Sequence, residues 1–377
     1  MSYRVRILTF LAVAVCLIPD YGQLQAAAFQ IIASETPMIS GGGQGIRRYI
    51  AYDTFGAILQ LPPIPGNLLN DPSSLALRND TDLFVSNRAA HHVSSIARFS
   101  LTGSNFASAG LITDDNHLAD AHQLAFDPVS GELFQTNRQA GRLSRFLFDV
   151  NGNPVANGYV QMPAGDFILG VTIRPADRQL FVSNYDHIWR FTRNPDGSYT
   201  YVGTFNVQSG ELYHYMKVHN DELYLAAFQT DRVLRFSFDA QGNPVLKHAI
   251  AATGALDVAF SPDGQEMFVT NHRNGGITRY RYNTENDTWT PFGDVIPTPS
   301  LGGIVITPIV CSLQADLTGD CIVNLQDLHA FISQWLQSVD PYYCTLSANM
   351  AGPDSECKVN IEDFSIFASQ WMETSGG

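Results

Sequence analysis

From Leu256 to Tyr282 the chain alternates short apolar runs with turn residues, in the order LDVAF, SPDGQ, MFVTN, NHRNGG, ITRYRY. The first and third runs are apolar and β-branched, and the last alternates polar with apolar at the period of a half-buried strand. Pro262, Gly264, Gly275 and Gly276 punctuate them as turns. The same order recurs upstream. LFVSN at Leu83, LFQTN at Leu133, LFVSN at Leu180 and LYLAA at Leu223 echo MFVTN, with starts 43–50 residues apart. Each is followed by an Arg-aromatic pair: Arg98-Phe99, Arg145-Phe146, Arg190-Phe191, Arg235-Phe236 and Arg279-Tyr280. A period of this length predicts a β-propeller with one four-stranded blade per repeat.

Five copies are plain, and the two ends of the region supply a sixth. LGGIVITP at Leu301 has the form of a first strand with no second strand after it. FQIIASE at Phe29 has the form of a second strand with no first before it, and Arg48-Tyr49 follows in the Arg-aromatic slot. Joining them predicts a mainly β, six-bladed ring closed by its two ends, leaving no open sheet edge. The arginines of the pairs are expected to pack their stems between blades.

This pattern also predicts where chemistry gathers. In an antiparallel blade the start of the first strand and the end of the second share one end of the sheet. Asn87, Asn137, Asn184 and Asn271 end second strands, His122, His214 and Asp257 stand near the starts of first strands, and His91, His92 and His272 lie in loops just beyond. All are therefore expected on one face around the central channel. Turn chemistry explains strand-end asparagines as well as any ligand does. The candidate ligand-binding set is His122, His214, Asp257 and Asn271.

Outside this region the pattern changes. Met1 to about Ala28 reads as a secretory leader, with Arg4 and Arg6, an apolar run from Ile7 to Ile18, and Ala26, Ala27 and Ala28 as a cleavage site. The run is too short to span a membrane, and no other stretch is a candidate. An extracellular or cell-surface location follows. The expected boundaries are 1–28 for the leader, 29–309 for the propeller and 310–377 for a second module.

Composition supports a large core: 377 residues, 45% hydrophobic and 15% charged. The net charge of −14 argues against nucleic-acid partners. It concentrates in residues 311–377, where nine acids face Lys358 alone, a net of −8. Four of the five cysteines, Cys311, Cys321, Cys344 and Cys357, also lie there. In an exported chain they are expected as two disulfides, within the repeats (Cys311 with Cys321, Cys344 with Cys357) or across them.

The sharpest motif is Asp316–Asp327, DLTGDCIVNLQD. Oxygen-bearing side chains stand at loop positions 1, 3, 5, 9 and 12 (Asp316, Thr318, Asp320, Asn324, Asp327), and Ile322 offers its carbonyl at position 7. Ca²⁺ takes about six to eight oxygens at such spacing. Leu325, Leu328, Phe331, Ile332 and Trp335 follow at helical spacing, so the unit is half of an EF-hand. It is repeated: CIVNLQDLHAFISQWL is echoed by CKVNIEDFSIFASQWM, with Asp354, Glu356, Asn360 and Asp363 as the second ligand set.

The tandem calcium-loop and helix units of residues 311–372 resemble a type I dockerin. The resemblance implies Ca²⁺ as cofactor and a cohesin-like scaffold or surface protein as partner, often in polysaccharide breakdown. Three features depart from it. Cys321 and Cys357 replace the usual loop glycine, the second loop is three residues longer, and the partner-reading positions are Leu325-Gln326 and Ile361-Glu362. Residues 29–309 resemble six-bladed propellers of the gluconolactonase-like and NHL-repeat kind, and their LFVSN strands resemble YVTN-type propellers. The gluconolactonase resemblance implies a channel cation held by Glu, Asn and Asp, here Glu35, Asn271 and Asp257.

Two functions follow. One is a secreted binding protein that is not an enzyme, with a small-molecule, glycan or protein ligand at the propeller face and the tail as attachment. The other is a metal-dependent, lactonase-like hydrolase with the same tail.

Overall fold

The computed structural model describes residues 28–35, 45–52, 58–64, 66–79, 81–88, 94–102, 105–113, 118–163, 167–207, 212–273, 275–292, 296–298, 301–308, 315–317, 323, 325–335, 348, 350 and 359–371. Residues 1–27 of the expected leader, His91, His92 and the four tail cysteines lie outside them. Among the described residues, no helix is long and apolar enough to cross a membrane. Contacts divide the chain into two compact units, one of Phe29–Ala51 with Ile58–Pro308, the other of Met1–Ala28, Tyr52–Ala57 and Ile309–Gly377.

The first unit is a six-bladed propeller of four-stranded antiparallel sheets. Blade 1 is the composite one. Its strands run Leu301–Pro308, Ala28–Glu35, Ile46–Tyr52, Ile58–Ile64, so the last strand of the ring is its innermost. The closing register sets Phe29 against Pro308 and Ile32 against Val305, with a bulge between Ala33 and Glu35. Blades 2 to 6 begin with Pro72–Arg78, Ala121–Phe126, Gly170–Ile173, Tyr213–His219 and Ala255–Phe260. These first strands touch in sequence all the way round, and Ala255–Phe260 meets Leu301–Pro308 to complete the circle.

Burial follows the alternation of the strands. Every seam between neighbouring blades is filled by apolar side chains from both. Ile32, Ile64 and Val305 meet Leu75, Val85 and Phe99 between blades 1 and 2, and Ala259, Phe268 and Ile277 meet Phe29, Ile31 and Ile304 between blades 6 and 1. Closure therefore buries apolar area as well as pairing two edges.

The repeated arginines do stitch the seams, with a partner that the repeat pattern alone did not reveal. An acid at the start of the second strand holds the guanidinium. Asp82 takes Arg98 at 3.1 Å, Glu132 takes Arg145 at 2.7 Å, Glu222 takes Arg235 at 2.5 Å, and Glu266 takes Arg279 at 2.6 Å. The cation then reaches a hairpin of the next blade: Arg145 donates to Gly197 O (2.8 Å), Arg190 to Gln241 O (3.0 Å) and Arg235 to Asp287 O (2.8 Å).

In the second unit, helices α1 (Leu325–Gln334) and α2 (Ile361–Ser369) repeat one another. Their shared core takes matching residues from both repeats: Ala315 with Ala348, Val323 with Val359, Phe331 with Phe367. Gln334 Oε1 accepts from Ala348 N and Gln370 Oε1 from Ala315 N, so each repeat caps the other. Leu325, expected on the apolar stripe, is 63% exposed, because the buried face of α1 runs through Leu328 and Phe331.

A close backbone approach lies on the closing strand. A Cβ on Gly303 would stand 2.7 Å from Ser74 Cα and 2.8 Å from Leu75 N, whereas one on Gly203 would meet nothing within 4 Å. Gly303→Ala is expected to lower unfolding stability by about 1–3 kcal/mol through overpacking. Gly203→Ala should stay within about 0.5 kcal/mol of wild type. Denaturant unfolding of both variants checks this.

Candidate functional site at the channel mouth

Each blade brings the end of its second strand beside the start of its first. A bulge interrupts that pairing in five blades, between Ala33 and Glu35, Pro72 and Ser74, Ala121 and Leu124, Tyr213 and Met216, and Ala255 and Val258. The extra residues are freed from the ladder for other work. The strand-end hydroxyls join neighbouring blades: Thr136 Oγ1 donates to Leu169 O, Ser183 Oγ to His214 O and Thr270 Oγ1 to Gly302 O.

The strand-end asparagines cap backbone. Asn87 Oδ1 accepts from Asn70 N, Asn137 Oδ1 from Ala119 N, Asn184 Oδ1 from Asp186 N and Asn271 Oδ1 from Arg273 N, all at 3.0–3.1 Å. Local turn chemistry accounts for the oxygens of Asn184 and Asn271, while those of Asn87 and Asn137 tie down the loop that leads into the first strand of their blade.

The bulged residues form the site. His122 of blade 3 is 5% exposed, and neither ring nitrogen meets a hydrogen-bond partner among the described residues. Burial holds this imidazole well below its ordinary pKa, and the charges of Arg88, His214 and Arg138 push the same way. Asp120 Oδ1, 3.7 Å from Nε2, pulls in the other direction, but burial outweighs it, so the ring is neutral at pH 7. His214 of blade 5 goes down to about 3 from burial, reinforced by His272, Arg138 and Arg88, and its Nδ1 also lacks a partner. His272 is lowered by burial as well, with its Nδ1 3.3 Å from Leu301 O.

Below the imidazoles lies a polar floor. Gln123 reaches across blade seams, its Oε1 accepting from Val171 N (2.6 Å) and Met216 N (3.2 Å) and its Nε2 donating to Met216 O (3.0 Å). Asp257 is fully buried and raised to about 6 by that burial, although Val258 N (2.9 Å) and Ile304 N (3.0 Å) donate to it. The Tyr215 phenol is raised by burial and by the Asp257 charge. Two guanidinium groups stack on aromatic rings, Arg138 on Phe167 at 5.3 Å and Arg273 on Phe228 at 4.6 Å.

Of the four expected residues, His122 and His214 meet at this mouth through their charges, Asp257 lies in the floor with its oxygens taken by backbone N–H groups, and Asn271 is a backbone cap. Arg88, Arg138, Asp120, Gln123 and Tyr215 were not anticipated. The one available signal was that Arg88 and Arg138 each directly follow a strand-end asparagine.

The cation set implied by the gluconolactonase resemblance does not fit. Glu35 pairs with Arg47 at 2.6 Å, Asp257 serves two backbone donors, and Asn271 caps Arg273. Among the described residues no three His, Cys, Asp or Glu side chains are grouped to hold a metal.

In the tail, Asp327 and Asp363 are buried. Asp363 sits in the first turn of α2 and accepts from Met350 N (2.6 Å) and Asn360 N (2.8 Å), while Asn360 caps that helix through Glu362 N (2.8 Å). Asp316 is described; Thr318, Asp320, Ile322, Asn324, Asp354 and Glu356 lie outside the described residues.

No family model and no curated protein matches this sequence. Solved structures do. A protein from Lactobacillus plantarum gives a TM-score of 0.58 at 12% identity, covering 74% of this chain and 99% of its own. A Bacteroides uniformis protein provisionally named a 6-phosphogluconolactonase gives 0.53 at 19% identity over 72% and 83%. The periplasmic gluconolactonase of Pseudomonas aeruginosa gives 0.55 at 14% identity over 75% and 86%. At these identities the likeness shows the fold alone: a propeller similar to those of the lactonase-named proteins.

The neutral imidazoles make stability depend on pH. His122 is lowered in the fold, so below its ordinary value near 6.5 the unfolded chain binds more protons and stability falls as pH falls. Asp257, raised to about 6 from 3.8, opposes this as pH falls between those two values. His122→Gln is expected to lose less stability than wild type between pH 7 and pH 5, as read from urea midpoints at both pH values.

Proposed function

We propose that the propeller is a lactonase-like hydrolase whose base is His122. The carrying observation is a buried, neutral imidazole with both ring nitrogens unpartnered among the described residues, set where the charges of Arg88 and Arg138 reach it. A neutral imidazole keeps a lone pair for a proton at neutral pH, and the Asp120 carboxylate 3.7 Å away favours the imidazolium against the burial that weakens it as a base. Guanidinium groups beside it suit an oxygen that gains charge during acyl transfer. The fold shared with lactonase-named propellers supports the same class.

In this reading His122 takes a proton from water as the water oxygen bonds to the lactone carbonyl carbon. The carbonyl electron pair moves to oxygen, facing Arg88 and Arg138. Collapse re-forms the C=O and breaks the bond to the ring oxygen, which leaves with the proton held by His122, and a hydroxy acid results. The binding reading assigns the same residues to a recognition rim, yet recognition gives no reason to bury imidazoles without partners, an arrangement that costs desolvation.

The chain around this site is proposed to be exported, with a leader over 1–28, the propeller over 29–309 and a calcium-dependent attachment module over 310–377. For the module, the support is that the two repeats share one core and cap each other, with Asp327 and Asp363 buried at equivalent helix starts. A cohesin-like scaffold or surface protein is the proposed partner and Ca²⁺ the proposed ion.

The full-length protein is expected to open six-membered sugar lactones, with kcat falling about 10²-fold or more in His122→Gln while KM changes little. Binding of the lactone by calorimetry without any turnover would instead establish the recognition reading. For the tail, calorimetry of the full chain should show Ca²⁺ binding that Asp316→Ala removes at the first loop. Absence of calcium-dependent heat in the wild-type chain would sink the module.

A further inference from the structure

Two aspartates hold equivalent places just before the first strands of blades 2 and 3, and both adopt left-handed backbone: Asp71 at φ 54° and Asp120 at φ 50°. In each case the backbone carbonyl accepts from the arginine that follows the strand-end asparagine, Arg88 N to Asp71 O (3.0 Å) and Arg138 N to Asp120 O (3.1 Å). Blade 6 makes the same turn with Gly254 at φ 56°, whose carbonyl accepts from His272 N at 3.0 Å. Glycine and aspartate both satisfy this turn, since the short polar side chain of Asp tolerates left-handed backbone better than other side chains do. What separates the two aspartates is what their carboxylates touch.

Asp71 is committed to Arg88, at 2.9 Å. Asp120 is not committed to Arg138 in the same way. It lies 3.7 Å from Arg138 Nη1 and equally 3.7 Å from His122 Nε2, while Arg138 Nη2 turns to the Tyr185 hydroxyl at 3.1 Å. Its side chain is 11% exposed and that of His122 6%. Only Ala121 stands between them in the chain, which keeps the carboxylate close to the ring. A neutral imidazole carries its one N–H toward the nearest acceptor, and the other nitrogen then keeps the lone pair. Separations of this kind shorten in the complexes of active sites.

We propose that Asp120 is a positioning residue that fixes the His122 tautomer, holding Nε2–H and leaving Nδ1 as the base. This rests on the hydrolase reading for its catalytic meaning, but the tautomer itself is measurable without any substrate. The carboxylate would also face the imidazolium that forms during the reaction, where Arg88, Arg138 and His214 are the other charged or chargeable groups acting on the ring.

The test is nitrogen-15 NMR of the His122 ring at neutral pH in the full-length protein, in wild type, Asp120→Gly and Asp71→Gly. Glycine copies blade 6, so the turn is retained. Wild type and Asp71→Gly are expected to show the Nε2–H form, and Asp120→Gly a mixture of both forms. With a six-membered sugar lactone as probe, Asp120→Gly should lower kcat about 10-fold or more with KM within about threefold. An Nδ1–H ring in wild type, or an unchanged tautomer in Asp120→Gly, overturns the proposal. A tautomer that responds while wild type turns over no lactone leaves Asp120 confirmed as the orienting group and removes the hydrolase reading instead.

Discussion

The ladder between Leu301–Pro308 and Ala28–Glu35 is the constraint on which the propeller depends. It joins segments about 270 residues apart, completes the four-stranded sheet of blade 1 from both ends of the propeller region, and converts an open row of six sheets into a closed ring. Only in that ring do six first strands stand side by side around one axis. The channel mouth is a consequence, since His122, His214 and His272 come from blades 3, 5 and 6 and have no local reason to meet.

Closure sets two further demands, and the chain answers them with different chemistry at different radii. Between blades the seams need apolar filling, supplied by alternate strand positions, and outside that layer acid–arginine pairs carry a cation to the next blade. Glu266 and Arg279 are both nearly inaccessible, so breaking this pair strands a buried charge, a loss of about 3–5 kcal/mol. Near the axis the strands are too close for large side chains at every position, which is why Gly170 faces His214 O and Gly303 faces Ser74. Room left by Gly170 is where Gln123 crosses to reach blades 4 and 5.

The polar cluster at the mouth contrasts with the strand-end asparagines beside it, whose side-chain oxygens all accept from backbone N–H groups. Among the described residues both ring nitrogens of His122 and Nδ1 of His214 have no hydrogen-bond partner, and burial keeps both rings neutral. That is the state in which imidazole accepts a proton from a reacting group, and it is why the site's chemistry, more than the shared fold, carries the functional reading.

Repeat period, blade number and closure were legible in the sequence because they follow from local alternation and from two incomplete ends that complete each other. The same strand order placed His122 and His214 near the starts of first strands, where the bulges fall, and the tandem helices of the tail were visible in their spacing. What the alternation did not contain was distance across the ring. Glu266 and Arg279 are 13 residues apart and meet only through strand register; Gln123 and Met216 are 93 apart and meet only through closure. Asp257 and Asn271 read as ligands in one dimension, yet in three their oxygens belong to backbone N–H groups. Asp120 reads as an ordinary turn residue until the fold sets its carboxylate 3.7 Å from His122 Nε2. Periodicity is a property of neighbours along the chain, and a charge's environment is a property of neighbours in space, so the first was written in the sequence and the second was settled by folding.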